Sequence, residues 1–232
     1  MKTQAQRIVA IVCLLSLLLS SIPAPLLAQA PDAEQPSQPL PTGAPLLPGP
    51  SGVTVNLATG NLHYQPPAHP MLHYNALIHT DTETRNLGPG WRFGYDIAYH
   101  EAPDGDVAIL WGDGHRSHFE RRSDGSYHPA EADRAPAGRH ETLTRIGNPG
   151  YRLTTPEGET LIFDDAGHAR VTRIESPDGR ARSFAYDADG RLTAVHAPYN
   201  RVMRLSYDPN GRITGIIEDA NTLTLAYDAA GQ

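Results

Sequence analysis

The chain holds eleven histidines, and six of them crowd two short stretches: His63, His69, His73 and His79 in one, His115 and His118 within WGDGHRSHF in the other. Clustered imidazoles suggest a transition-metal site. In an extended chain, however, positions i and i+3 face opposite sides, so His115 and His118 do not converge. The first four are separated by Pro66, Pro67 and Pro70, with no acidic neighbour before Asp81. The pairs Asp187-x-Asp189-Gly190 and Asp208-x-Asn210-Gly211 resemble the opening of a calcium loop, but the closing bidentate glutamate of an EF-hand is missing. Asp164 and Asp165 are adjacent, and in a strand they point apart, which is wrong for a general acid and base working together. No GxSxG, HExxH, GxGxxG or P-loop occurs. The expectation is no catalytic residue, no metal and no cofactor. Trp91 and Trp111, each flanked by glycines, are the residues best suited to stack on a sugar ring, or else to plug the start of a sheet.

The elements that carry these residues read as strands. Glycine and proline, 21 each, interrupt the chain too often for helices. The C-terminal third repeats itself. Tyr186-Asp187-Ala-Asp-Gly190-Arg191-Leu-Thr, Tyr207-Asp208-Pro-Asn-Gly211-Arg212-Ile-Thr and Tyr227-Asp228-Ala-Ala-Gly231-Gln follow one another, and a looser version begins at Phe163-Asp-Asp-Ala-Gly167-His168. A fixed period of about 20 residues marks a repeat architecture. Within one period the aspartate can accept hydrogen bonds from nearby backbone amides, and the glycine supplies the positive φ of a tight turn. Met203, Leu205 and Tyr207 alternate with Val202, Arg204 and Ser206, the period of a half-buried strand. Leu192 with Ala194, and Ile213 with Gly215, are expected to share the inner face of the returning strand. Each period is one hairpin, and the tyrosines should stack into a ladder across a curved, open antiparallel sheet beginning near residue 52. The fold class is all-β.

The first thirty residues read as a secretory leader: Lys2 and Arg7, an apolar run from Ile8 to Leu19, then the small residues around Ala28 and Ala30. The run falls short of the roughly 20 residues that span a bilayer, so the mature chain is not expected to be an integral membrane protein. Residues 31–50 are proline-rich and read as a linker. The lone cysteine, Cys13, lies in the leader, which excludes a disulfide framework. The formal charge is −7 before the leader's Lys2 and Arg7 are removed. A chain this acidic, without basic clusters, has little to offer a nucleic acid.

YDADGRLTAV (186–195) and YDPNGRITGI (207–216) closely resemble the tyrosine–aspartate repeats of the Rhs family. Upstream, VNLATGNL, GPGWRFGYD, PDGDVAILWGDGHRSHFER and PEGETLIFDDAGHARVTRIESPDGR are similar to the region preceding those repeats in Rhs-type and wall-associated polymorphic toxins. The resemblance implies a division into leader (1–30), linker (31–50), N-terminal β region (51–160) and repeats (161–232). It also implies a secreted or cell-surface location and a spiralling β-shell that in many relatives encloses a toxin. Two complete periods are too few to close such a shell. The partners implied are further shell repeats or a C-terminal toxin domain on a longer or separate chain, with cell-surface carbohydrate as the alternative.

Overall fold

The structure is a computed structural model and describes residues 46–48, 52–56, 61–76, 86–130, 141–164 and 167–228. The leader, most of the expected linker, His79, Asp81, Asp165 and Gly231 lie outside the described residues. Every regular element among them is a β-strand, and all pairings are antiparallel. The chain is all-β, as its punctuation by glycine and proline predicts.

Among the described residues the strands form three meandering sheets, where the sequence suggested one. The first comprises β1 (Leu46–Pro48), β2 (Val53–Asn56), β3 (Leu62–Tyr64), β4 (Leu72–Asn75) and β5 (Trp91–Phe93). The second comprises β6 (Ala98–Glu101), β7 (Val107–Leu110), β8 (Arg116–Arg121) and β9 (Tyr127–Pro129). The third has nine strands: β10 (Thr142–Gly147), β11 (Gly150–Thr154), β12 (Thr160–Phe163), β13 (Arg173–Glu175), β14 (Ala181–Tyr186), β15 (Leu192–Ala197), β16 (Arg201–Tyr207), β17 (Ile213–Glu218) and β18 (Asn221–Thr224). The end of the proline-rich segment supplies β1, whose Pro48 sits opposite Thr54 on an edge strand, a place where a missing N–H is tolerated. The third sheet starts at Thr142 and runs on through residue 160.

One turn recurs through the second and third sheets. At Ala102, Trp111, Arg122, Thr155, Ser176, Asp187 and Asp208, residue i donates its N–H to the carbonyl of i+4 and accepts from the N–H of i+3. Residue i+3 is always glycine, with φ between 74° and 93°. A side chain there would enter the left-handed region that L-residues avoid, so the xDG, xNG and EG spacings of the sequence are this turn written out. The recurrence extends the hairpin architecture well before the first tyrosine repeat.

The sheets bury one continuous core. Ile109 and Phe119 of the second sheet and Tyr151, Leu153, Leu161 and Phe163 of the third are almost wholly inaccessible, each stabilising by roughly 1.5–3 kcal/mol relative to exposure. Tyr99 meets Tyr151 and Phe163 edge-on, at 4.9 and 5.7 Å between ring centres. Backbone ties complete the join. Ala98 bridges Arg170, the Tyr99 N–H donates to the Ala169 carbonyl, and the Val171 N–H donates to that of Ile97. Asp96, between β5 and β6, pairs with Arg170 in a partly buried ion pair. That contact ties the connection between the first and second sheets to the segment leading into β13.

Candidate functional site

Among the described residues the repeat motif forms its full turn twice, and its tyrosine makes the same bond three times. Its aspartate closes the turn: Asp187 Oδ1 accepts from the N–H groups of Asp189 (3.0 Å) and Arg191 (2.9 Å), and Oδ2 accepts from Arg191 Nε at 2.8 Å. Asp208 repeats this with Asn210 (2.9 Å), Arg212 N–H (2.8 Å) and Arg212 Nε (2.8 Å). Burial opposes ionisation of Asp187, but the hydrogen bonds donated by Arg191 outweigh it and hold the carboxyl below its ordinary range. The Arg212 backbone N–H, aided by the guanidinium, does the same for Asp208.

The tyrosine binds one repeat to the previous one. Tyr186, Tyr207 and Tyr227 each donate their hydroxyl at 2.7 Å to a backbone carbonyl, of Val171, Leu192 and Ile213 respectively. Each acceptor is the residue directly after a repeat arginine. The guanidinium of Arg191 lies 5.6 Å from the Tyr207 ring centre, and that of Arg212 lies 4.3 Å from the Tyr227 ring centre, within cation–π range. Burial raises Tyr207 far above the ordinary phenol range and pushes Tyr227 up to about 12. The rungs are thus neutral donors with their polar groups engaged by protein.

Two details of this ladder differ from the sequence reading. The returning strand contains a bulge. Ala185 faces Ala194 while Tyr186 faces Leu192, and Ser206 faces Gly215 while Tyr207 faces Ile213. Thr193 and Thr214 are the extra residues, so alternation breaks: Leu192 with Val195, and Ile213 with Ile216, are the buried pairs. The Thr193 hydroxyl donates to the Ala185 carbonyl at 3.0 Å. The apolar spacing of three in LTAV and ITGI was the available signal. In the degenerate first repeat, the residue in the arginine's role is Arg170 and not His168. His168 and Ala169 are inserted, Ala169 taking a φ of 53°, and Val171 supplies the carbonyl for Tyr186.

The N-terminal candidates lie elsewhere. Trp91, on β5, is met edge-on by Tyr64 and Tyr74 at 6.1 and 5.4 Å. Trp111 stacks on His115 at 5.2 Å with an 11° tilt and donates its indole N–H to Ser117 Oγ at 2.9 Å. Both rings are partly buried against the core. His63 and His73 approach to 5.6 Å. Burial lowers both imidazoles, opposed in part by the charge of Asp113, an acidic neighbour from a distant turn that the local sequence did not disclose. Burial works against ionisation of Asp113 itself, but the bond and charge of His115, at 2.6 Å, leave its carboxyl at about 2. Among the described residues no three His, Cys, Asp or Glu side chains gather in metal-binding geometry.

Residues 163–202 match the RHS Repeat family. Among solved structures, the TCP10 domain of Danio rerio CPAP is 18% identical with a TM-score of 0.23, the match covering 76% of this chain and 100% of that one. The same domain in complex with a peptide of Danio rerio STIL is 19% identical with a TM-score of 0.24, covering 79% and 98%. Likenesses at these scores carry no argument about this chain. No curated protein matches it.

Proposed function

We propose that this chain, which carries an Rhs repeat at residues 163–202, is a structural segment of an exported Rhs-type β-shell, contributing sheet to toxin encapsulation or to a cell-surface assembly rather than catalysis. The observation that supports this most strongly is the use of the motif's functional groups. Every tyrosine hydroxyl of the ladder, and the Asp187 and Asp208 carboxylates, are engaged in holding one repeat to itself or to the preceding one. Such groups build a platform and are not free to attack, protonate or bind a substrate. The apolar leader of residues 8–19 supports export.

In this reading the partner is a further run of the same repeat, on a longer or separate chain, pairing with β18. That strand is bonded to β17 on one side, and its side chains are mostly exposed. An unpaired sheet edge is a template for another strand. The test mixes the full chain with a polypeptide of the two periods in residues 181–224 and reads hydrogen exchange. Slowed exchange of the Asn221–Thr224 amides, with comigration on gel filtration, is expected. Unchanged exchange at β18 without comigration would overturn the proposed mode of assembly.

A further inference from the structure

The histidines of the first sheet take no part in the repeats. His63 on β3 and His73 on β4 lie with ring centres 5.6 Å apart. His63 Nε2 and His73 Nδ1 are enclosed by protein, and neither has a hydrogen-bond partner. Both rings stand where the first sheet meets the Trp111–His115 turn of the second. Asn75, opposite His63 in the register, donates its amide to the Asp113 carbonyl at 3.5 Å. Gly94 and Gly112 lie in backbone contact at the same junction, and a Cβ at Gly94 would fall 3.2 Å from His73 Nε2.

The charged and titratable groups around this pair offer it little. Arg92, a buried guanidinium on β5, is directly opposite His73. Asp113 Oδ1 is already engaged by His115, through the ring at 2.6 Å and the backbone N–H at 3.1 Å. His69, in the turn before β4, has an enclosed and unpartnered Nε2 of its own. A proton added at His63 Nε2 or His73 Nδ1 would thus find no acceptor, and its charge would sit beside a second imidazole. At His73 it would also face Arg92. Burying a charge without a partner is costly, and like charges directly opposite on a sheet repel. Asp113 pulls the other way, but burial outweighs its attraction and lowers both imidazoles from 6.5.

The geometry points to an acid-sensitive latch: protonation of the His63–His73 pair parts the first sheet from the Trp111–His115 turn while the third sheet stays folded. The stability this latch contributes is fully present above pH 6.5, the ordinary imidazole value, and is lost as pH falls below it. Asp113 does not act in that range, because its carboxyl, at about 2, stays ionised. The repeat aspartates keep their contribution down to about pH 4. The repeat ladder is bonded through tyrosine, aspartate and arginine, not histidine, so the window of about pH 4–6.5 leaves it intact. The latch rests on no part of the shell reading, since β18 and the repeat turns lie outside it.

The test is hydrogen exchange on the full chain at about pH 7 and about pH 5, each amide corrected for its intrinsic rate, with the imidazoles titrated by NMR. Protection of β3, β4 and the Trp111–His115 turn is expected to fall about tenfold at the lower pH, with β15 and β16 unchanged. Both imidazoles should titrate below 6.5. His63→Gln with His73→Gln should remove most of the fall, and the titration of the parent chain reads the pair even where that variant does not fold. Unchanged protection at the lower pH, a loss spread evenly into β15 and β16, a parental fall in the double variant, or titration of either imidazole at or above 6.5 would each overturn the latch.

Discussion

At the scale of single residues, the repeat glycines and aspartates make separable predictions. Gly190 and Gly211 share a positive φ, 74° and 80°, so alanine at either introduces strain of about 1–2 kcal/mol. The two differ in surroundings. A Cβ at Gly211 meets nothing within 4 Å, whereas at Gly190 it would lie 2.6 Å from the His168 ring. Gly190→Ala should therefore lower the urea midpoint more than Gly211→Ala, and equal losses would contradict the geometry. Asp187 and Asp208 have carboxyls held below their unfolded range. The stability they contribute is fully present above about pH 4, the unfolded carboxylate value, and is lost as pH falls through the folded one. Asp187→Asn with Asp208→Asn should flatten the acid limb of a stability-against-pH profile without altering its slope near neutrality. Tyr227, raised to about 12, acts in the opposite direction. Its contribution holds below about pH 10 and fades as pH rises through 12. Absorbance at 295 nm should show a late phenolate component that Tyr227→Phe removes.

At the scale of elements, hairpins and turns were legible because their signals are local: a glycine two or three residues after a polar turn former, and side chains alternating on either side. The bulges at Thr193 and Thr214 were less so, since strict alternation is the simpler pattern and a bulge shows only when opposing strands are laid together. Loop-to-loop approach was legible only in kind. The glycines around Trp91 and Trp111 signal close backbone contact, but the sequence does not say with what. The structure sets Gly112 against Gly94, where an added Cβ would fall 2.0 Å from the Gly94 carbonyl oxygen. This contact joins the first sheet to the turn of the second. Gly112→Ala should cost about 3 kcal/mol, with a changed near-ultraviolet signal from Trp111. An unaltered melting temperature would show that the two turns do not meet.

At the scale of the whole molecule, sequence periodicity predicts a sheet but not how many. The three sheets are tied together by contacts of long separation, among them Asp96 with Arg170, joined by Asn86, whose amide donates to Asp96 at 3.3 Å and whose carbonyl accepts the Ile213 N–H at 2.7 Å. No local pattern encodes such a tie. What the repeats do say locally is that their conserved-looking chemistry is spent on themselves. That claim is tested most directly by urea unfolding of full-length Tyr207→Phe, paired with hydrogen exchange. The hydroxyl removed is a 2.7 Å donor to the Leu192 carbonyl, worth about 0.5–1.5 kcal/mol. The account predicts a loss of that size, with faster exchange confined to β15 and β16. Parental stability with unchanged exchange in β15 and β16 would contradict it, showing that the hydroxyl does not hold one repeat to the next.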